Sequence, residues 1–457
     1  MRTPAAALIL VASLLSMPFT GPVFADQFDD AMDAYERRDY SAAFRLFKPL
    51  AEQGHAKAQF NLGLLYYKGL GVPQDYAEAA RWSRKAAEQG NPFGQFILGT
   101  LYHEGNGVPK DYAEAVKWYR KAAEQGNSMG QSALGELFQE GYGVPKDYAE
   151  AVKWYRKAAE QGNFFAQYDL GNMYYHGQGV SQDYAEAERW FQKSAKQGYA
   201  KAQHNLGVIY DEGQDVSQDY TEAAKWYRKA AEQGHPGSQN NLGTMYNKGR
   251  GVPQDHVEAA KWFRKAGEQG IAKAQYSLGL SFNKGRGVPQ DYAEAAKWYR
   301  KAAEQGDLLA QNNLGLLYRD GLGVRQDYAV ATNLFVKAAE HGHPESQNNL
   351  GVMYNKGEGV PQDYAEAVKW YRKAAEQGLA EAQNNLGVMY SNGQGVPQDY
   401  ILAYMWWSLA SSRYPATEKE NRGMAEENRE NIASKMTPAQ IAEAQKLARE
   451  WKPRTEN

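Results

Sequence analysis

Residues 55–90 read HAKAQFNLGLLYYKGLGVPQDYAEAARWSRKAAEQG, and close copies of this 36-residue stretch follow one another through most of the chain. The dipeptide Leu62-Gly63 recurs ten times at an unbroken spacing of 36 residues, ending at Leu386-Gly387. A fixed period of this length indicates units that cannot bury their own apolar faces and therefore stack on their neighbours. The chain is predicted to be a repeat array, and its function is expected on a shared surface.

Each unit is predicted to contain two helices separated by a loop. The apolar residues of the first half share one helical face: Ala58, Leu62, Leu65 and Tyr66. Gly69 is expected to end this helix in the left-handed conformation, and Pro73 cannot continue it. Asp75 is predicted to cap the second helix, with Glu78 as its partner in a capping box.

The second helix supplies the bulky core residues. The Trp82 position is tryptophan in nine of ten units, with Leu334 the exception, and the Ser83 position is aromatic in the other nine. These side chains are predicted to be buried. Gly63 costs about 1 kcal/mol relative to alanine inside a helix, so its recurrence predicts a close helix approach filled by the Trp82-type side chain. The recurrent Gln59 is interpreted as a buried amide that binds neighbouring backbone.

The pattern Ala-x-Ala-Gln-x-x-Leu-Gly-x-x-Tyr, followed by Gly-x-Gly-Val-x-x-Asp-Tyr-x-x-Ala-x-x-Trp-Tyr, resembles the Sel1-like repeat, a relative of the tetratricopeptide repeat with a longer loop. The resemblance covers residues 55 to about 411. It implies an all-α, right-handed α/α superhelical solenoid of about ten 36-residue helix-loop-helix repeats with N- and C-terminal caps. It also implies a noncatalytic adaptor that binds protein or peptide on its concave surface.

Two alternatives to the adaptor remain open. Some cysteine-rich secreted proteins of the family are described as penicillin-binding or β-lactamase-like, so the chain could bind or hydrolyse a β-lactam. The one Ser-x-x-Lys match, Ser281 to Lys284, falls on recurrent repeat positions, and its companion motifs are missing. A structural spacer is the third class.

The two ends differ from the repeats. Residues 1–25 are predicted to be a signal peptide, with Arg2 before an apolar run and cleavage before Asp26. The run is too short for a stable membrane anchor, so the mature chain is expected in the periplasm or outside the cell. Residues 26–54 are predicted to form an N-terminal capping half-repeat, residues 55–411 the ten repeats, and residues 412–457 a C-terminal helical cap.

Composition excludes several other classes. Lysine and arginine total 52 and aspartate and glutamate 54, so the net charge of −2 gives no electrostatic case for nucleic acid or an anionic membrane. The chain has no cysteine for disulfide bonds. The close pair His341 and His343 replaces a turn and lacks metal-ligand spacing. No catalytic residue, cofactor or metal is expected, and a monomer is predicted.

The varying positions of the first helices are the candidate partner-binding residues. We call the equivalent positions of successive repeats, spaced 36 residues apart, a row. The row that begins at Phe60 changes from aromatic residues to asparagine along the chain, and the row that begins at Tyr67 varies most. Binding is predicted at the following positions of these rows: Phe60, Phe96, Tyr168, His204, Asn240, Tyr276, Asn312, Asn348, Asn384, Tyr67, Tyr175 and Arg319.

The asparagines admit two interpretations. A ladder of carboxamides can bond the backbone of an extended peptide. Alternatively, the asparagines bond each other or water between neighbouring helices. The expected partner is an envelope protein or, if the chain leaves the cell, a host protein such as an immunoglobulin, as the family resemblance allows.

Overall fold

The computed structural model describes residues 22–213 and 217–454 of the chain. Most of the predicted signal peptide, residues 1–21, lies outside the described residues, and the predicted cleavage site before Asp26 falls within the first helix. The described segments contain helices and no strand. The chain divides into two compact units, residues 1–235 and 236–457, which we call the N-terminal and C-terminal units.

The helices follow one another at regular intervals. Those of the N-terminal unit are α1 (Pro22–Glu36), α2 (Tyr40–Glu52), α3 (Ala56–Lys68), α4 (Tyr76–Glu88), α5 (Pro92–Glu104), α6 (Tyr112–Glu124), α7 (Ser128–Glu140), α8 (Tyr148–Glu160), α9 (Phe164–His176), α10 (Tyr184–Lys196), α11 (Ala200–Glu212) and α12 (Tyr220–Glu232). Those of the C-terminal unit are α13 (Pro236–Lys248), α14 (His256–Glu268), α15 (Ala272–Lys284), α16 (Tyr292–Glu304), α17 (Leu308–Asp320), α18 (Tyr328–Glu340), α19 (Pro344–Lys356), α20 (Tyr364–Glu376), α21 (Ala380–Asn392), α22 (Tyr400–Arg413), α23 (Lys419–Ala433) and α24 (Pro438–Glu450).

Each 36-residue repeat is a pair of helices. Within a pair, as in α3 and α4, the two helices pack together, and within each unit the first helix of the next pair packs on the second helix of the pair before it. Isolated helices of 13 residues are marginal in water, so this stacking supplies their stability. The predicted all-α repeat solenoid is confirmed.

The loop between the paired helices depends on two glycines. Gly69 ends α3 in the left-handed conformation with φ 66°, as predicted, and its N–H donates to the Leu65 carbonyl. Gly71 also has a positive φ, and a Cβ added there would lie 2.3 Å from the carbonyl oxygen of Tyr40. The second glycine therefore allows the loop to lie against the backbone of the preceding second helix.

Asp75 caps α4 as predicted, but the prediction of a capping box with Glu78 is wrong. The Asp75 carboxylate accepts from the N–H groups of Ala77 and Glu78. The N–H of Asp75 itself donates to the Tyr66 carbonyl over 3.0 Å and closes the loop. Glu78 instead accepts from Trp82 Nε1 over 3.0 Å. Glu78 does not accept a hydrogen bond from the Asp75 N–H, because that N–H already donates to the Tyr66 carbonyl.

The recurrent helix glycine marks a close approach, although the residue that fills the space differs from the prediction. A Cβ on Gly99 would lie 2.7 Å from the Tyr119 ring, which occupies the position after the tryptophan. In the first full repeat the equivalent atom is Ser83 Oγ, 2.9 Å from a Cβ on Gly63. Trp118 instead belongs to a buried cluster with Leu98 and with Ala87 of the preceding repeat.

Six of the nine recurrent tryptophans are buried as predicted, whereas Trp190, Trp226 and Trp262 are half-buried. Trp82 and Trp118 are buried, and in each case the lysine three residues later, Lys85 or Lys121, places its ammonium 4.5 Å from the ring centroid. Eight second helices also carry an exposed ion pair between residues three apart, as between Lys117 and Glu114. These pairs form a solvated face.

Both ends of the repeat series are closed by helices. The short turn between α1 and α2 places Arg38 in the left-handed conformation, with φ 63°. At the other end, α23 and α24 pack on α22, and Trp451 meets Trp406 at a centroid distance of 6.2 Å. Thr437 and Gln440 form a capping box at the start of α24. Within residues 22–213 and 217–454, no helix has the length and apolar composition needed to cross a membrane.

Candidate partner-binding surface

All twelve predicted binding residues lie on first helices. We call the accessible side of α3, α5, α7, α9 and α11 the N-terminal first-helix surface, and that of α13, α15, α17, α19 and α21 the C-terminal first-helix surface. Most of the twelve are half-buried, but four are buried: Phe60, Phe96, Tyr67 and Asn312. The row position therefore does not by itself make a side chain accessible.

Phe60 and Phe96 are parts of the apolar core. Both belong to one cluster of buried residues in the N-terminal unit. The Phe60 ring lies 5.6 Å from that of Phe93, and the Phe96 ring lies 5.7 Å from that of Tyr119. Their rings contribute packing energy between adjacent repeats and expose little area to a partner.

The tyrosines at the ends of first helices are tied to the next repeat. The Tyr67 hydroxyl donates to Glu104 over 3.2 Å, and the Tyr175 hydroxyl donates to Glu212 over 3.4 Å. Burial, together with the adjacent carboxylate, raises the pKa of both tyrosines above the ordinary value. The tyrosines therefore stay protonated and orient the two carboxylates.

Tyr168 and His204 lie within groups of rings. Tyr168 meets Tyr199 edge to face at 5.2 Å, and Phe165 meets Tyr199 at 5.4 Å. The His204 ring lies 4.5 Å from that of His235. Burial, and secondarily His235, lowers the pKa of His204 to about 4, so this imidazole is neutral at pH 7.

The asparagines of the C-terminal unit bond across neighbouring first helices. Asn312 Oδ1 accepts from Asn349 Nδ2 over 2.9 Å and from the buried Ser346 hydroxyl over 3.1 Å. Asn348 Oδ1 accepts from Asn385 Nδ2 over 2.9 Å. The mutual bonding foreseen as one of the two interpretations is therefore present at these two positions.

Some side-chain amide atoms of these row asparagines have no hydrogen-bond partner in the described chain. Within the described residues no hydrogen bond uses the amide nitrogen of Asn348 or Asn384, and neither nitrogen is a buried atom without a partner. The oxygens of Asn240 and Asn384 are buried, and they lack a donor in the described chain. Asn348 thus has its oxygen held by Asn385 while its amide nitrogen stays available.

The remaining two predicted residues are occupied locally. The Tyr276 ring lies 5.9 Å from that of Tyr299, and burial raises its pKa. Arg319 donates to both carboxylate oxygens of Asp320, over 2.7 and 3.0 Å. This neighbouring pair on α17 leaves little free charge for a partner.

The residues considered for chemistry have structural roles. Ser281 is buried, and its hydroxyl donates to the Ser277 carbonyl over 3.0 Å. His343 caps α19 through Nδ1, which accepts from the Ser346 N–H. Nδ1 of His341 lies 2.8 Å from the Lys337 carbonyl. Among the residues that the structure describes, no three His, Asp or Glu side chains are grouped as metal ligands would be.

One charged feature of the first helices was missed in the sequence analysis. The helices α5, α7, α9 and α11 carry six carboxylates and a single lysine, Lys201. The acidic residues are Glu104, Glu136, Glu140, Asp169, Asp211 and Glu212. Counting charge helix by helix would have revealed them, since the overall net charge of −2 conceals an uneven distribution.

Comparisons with known proteins agree with this architecture. The Sel1 repeat model matches eleven segments, of which the first is the shortest. They are residues 33–55, 56–91, 92–127, 128–163, 165–199, 200–235, 236–271, 272–307, 308–343, 344–379 and 380–414. No curated protein matches the chain.

Two solved structures are similar over most of their lengths. A protective antigen present in uropathogenic Escherichia coli strains, displaying an SLR fold, is 37% identical, with a TM-score of 0.64 over 89% of this chain and 94% of that one. A Sel1 repeat protein from Oxalobacter formigenes is 36% identical, with a TM-score of 0.52 over 68% of this chain and 89% of that one.

Proposed function

This chain belongs to the Sel1 repeat family, and on that premise we propose that it is a noncatalytic scaffold that binds a protein or peptide on its first helices. Sel1 repeat proteins are typically protein-interaction scaffolds and are generally non-catalytic. The second helices support this assignment of surfaces, because in eight of them a lysine or arginine pairs with the glutamate three residues before it, as Lys297 does with Glu294.

The observation that carries the proposal is the arrangement of Asn348. Its oxygen is held by Asn385 Nδ2, so the side chain is restrained before any partner arrives. Its amide nitrogen retains hydrogen-bonding capacity, as does that of Asn384 one repeat later. A restrained donor loses less conformational entropy on binding than a free one.

The occupant of the C-terminal first-helix surface is an extended segment of a partner protein. Backbone carbonyls of such a segment accept from the amide nitrogens of Asn348 and Asn384 without requiring a particular sequence. Asn312 is not part of this contact, because its oxygen already accepts two bonds and it is 7% exposed.

The proposed setting is outside the cytoplasm, in the periplasm or in the extracellular medium. The N-terminal sequence from Arg2 to Ala25 supports export by a cleaved signal peptide. The similarity to a protein described as a protective antigen supports the same setting. The partner is then an envelope protein or a host protein, and the chain acts as a monomer that does not bind nucleic acid.

The test combines cell fractionation with affinity capture by the full mature chain. Envelope extract and host secretions are passed over wild type and over the double variant Asn348→Ala/Asn384→Ala. We expect a defined partner to bind wild type and to be lost from the double variant, which should be destabilised by no more than about 1 kcal/mol through loss of the bond from Asn385 Nδ2. The matched control is Asn333→Ala, an exposed asparagine of the second helix α18, which should retain the partner.

Two outcomes contradict the proposal. Equal capture by wild type and the double variant would remove the asparagines from the binding site. Retention of an uncleaved chain in the cytoplasmic fraction would exclude the proposed setting.

A further inference from the structure

We infer that the N-terminal first-helix surface binds a cationic amphipathic segment of a partner protein. The inference rests on the proposed scaffold function and adds the chemistry of one partner. It depends on residues of the N-terminal unit alone, so it can fail while binding through Asn348 and Asn384 stands.

The first evidence is the sign of the charge on the first helices. The five first helices α3, α5, α7, α9 and α11 carry six carboxylates against three lysines, two of which, Lys57 and Lys68, lie on α3. The five first helices of the C-terminal unit carry three carboxylates against five lysine or arginine residues. The acidic character therefore belongs to one part of the repeat series and does not follow from the repeat itself.

The second evidence is the partial burial of these carboxylates. Glu136, Asp169 and Asp211 are half-buried, and Glu140 and Glu212 are exposed at the ends of their helices. Partial removal of water weakens the screening of each charge, so an incoming ammonium or guanidinium gains more than it would at a fully solvated site. The surface is thus suited to lysine and arginine.

The orientation of two of the carboxylates is fixed by tyrosines. Glu104 accepts from the Tyr67 hydroxyl, and its other oxygen is buried with no donor in the described chain. Glu212 accepts from Tyr175 in the equivalent contact three repeats further along the chain. Oriented carboxylates lose less entropy when they form charge-assisted hydrogen bonds.

The third evidence is an aromatic edge at the opposite ends of the same helices. Phe164 meets Tyr199 at 5.5 Å, and Tyr199 also contacts Phe165 and Tyr168. A groove of about 410 Å³ lies beside them, lined in part by Phe164, Tyr199 and His235. The surface therefore has an apolar edge at the helix N-termini and an acidic region toward the C-termini.

The apolar edge and the acidic region together determine which kind of partner segment fits this surface. A 13-residue first helix is about 20 Å long, and a partner helix is about 10 Å across. A partner helix that lies across α7, α9 and α11 places apolar side chains on the aromatic edge and lysine or arginine on the carboxylates. Long cationic side chains reach the remaining distance while their methylene groups cover apolar surface.

The probe is a fluorescently labelled leucine-lysine peptide of about 18 residues, long enough as a helix to cross about three first helices. Its binding to the full chain is measured by anisotropy at low and high salt. We expect binding that weakens with salt and that is at least about tenfold tighter than binding of a scrambled leucine-lysine peptide without an apolar face. A leucine-glutamate peptide of the same pattern should not bind.

The matched variants remove equal charge from two surfaces. Glu140→Gln/Asp169→Asn/Asp211→Asn/Glu212→Gln should weaken peptide binding by at least about tenfold, about 1.4 kcal/mol. The control replaces four exposed glutamates at the ends of second helices: Glu88→Gln/Glu124→Gln/Glu160→Gln/Glu232→Gln. It should bind the peptide as wild type does.

The outcomes separate this inference from the scaffold proposal. Equal weakening in both quadruple variants would indicate a general charge effect and overturn the inference, as would equal binding of the scrambled peptide. Asn348→Ala/Asn384→Ala should leave the affinity for the leucine-lysine peptide unchanged. Loss of peptide binding in that double variant would place the peptide on the other surface and also contradict the inference.

Discussion

The side-chain amide of Gln89 donates to the side-chain oxygen of Gln59 over 2.7 Å, and Gln59 in turn donates to the Ala51 carbonyl over 3.1 Å. This chain of two bonds joins the end of α4 to α3 and α3 to the preceding second helix. The same glutamine pair is present in eight repeats. It is a polar connection that runs alongside the apolar stacking of both units.

The pair is broken where His341 replaces the donor glutamine. Gln311 Oε1 is buried there without a partner in the described chain, and His341 bonds the Lys337 carbonyl instead. His341→Gln should restore the bond and raise stability by about 1 kcal/mol, measured as an increase in the melting temperature. The reciprocal control, Gln125→His, should destabilise by a similar amount because Gln95 loses its donor. An unchanged melting temperature in both variants would contradict a stabilising role for the glutamine pairs.

The helix glycines give a second prediction with an internal control. Gly99→Ala should destabilise by about 1–3 kcal/mol, because its Cβ would lie 2.7 Å from the buried Tyr119 ring. Gly423 lies in the helix α23 with no atom within 4 Å of an added Cβ. Gly423→Ala should therefore stabilise by about 0.5–1 kcal/mol through the entropy of the unfolded chain. Thermal unfolding of the two variants measures both signs, and destabilisation by both would refute the steric explanation.

The sequence predicts the fold well because its decisive signals are local and repeated. Gly69 ends a helix, Asp75 begins one, and Gln59 bonds backbone, as their recurrence indicates. Apart from the capping box of Asp75 and Glu78, the errors concern contacts between different helices. That Tyr119, and not a tryptophan, lies against Gly99 depends on the rotation of two helices about their axes, which periodicity does not fix to within one residue.

The candidate surface is less predictable than the fold. Variation along a row identified the first helices, but it does not distinguish a buried ring such as Phe96 from a half-buried one such as Tyr168. That difference depends on which side chain the next repeat places against it. The bonds between Asn312 and Asn349 likewise join residues 37 positions apart, and only the stacking geometry brings them within reach.

Two asparagines of the same row should respond differently to truncation. Asn312→Ala should cost about 1–3 kcal/mol, because the buried Ser346 hydroxyl and Asn349 Nδ2 lose their acceptor. Asn384→Ala should change stability by less than about 0.5 kcal/mol, since no described hydrogen bond depends on this side chain. Chemical denaturation of the two variants measures the difference. Equal losses of stability would mean that Asn384 stabilises the fold as much as Asn312 does, and would weaken the case for binding through Asn384.

The stacked pair His204 and His235 predicts a pH dependence of stability. Burial lowers the pKa of His204 to about 4, whereas an imidazole in the unfolded chain titrates near pH 6.5. Between these values the unfolded chain binds more protons, so the stability contributed by neutral His204 is complete above about pH 6.5 and is lost as the pH falls toward 4. Burial, and secondarily Lys201, also lowers the pKa of His235. Because the two ring centroids are 4.5 Å apart, protonation of either imidazole disfavours protonation of the other.

His204→Asn introduces the residue found at the same row position in Asn240, and it removes this titration. We expect its melting temperature to fall less than that of wild type between pH 7 and pH 4.5, although both proteins lose stability through the other buried histidines. The control is His176→Asn, an exposed histidine of α9, which should follow the wild-type curve. Parallel curves for wild type and His204→Asn would contradict the prediction, because a half-buried His204 that stays neutral down to about pH 4 requires the difference between the two melting temperatures to change as the pH falls.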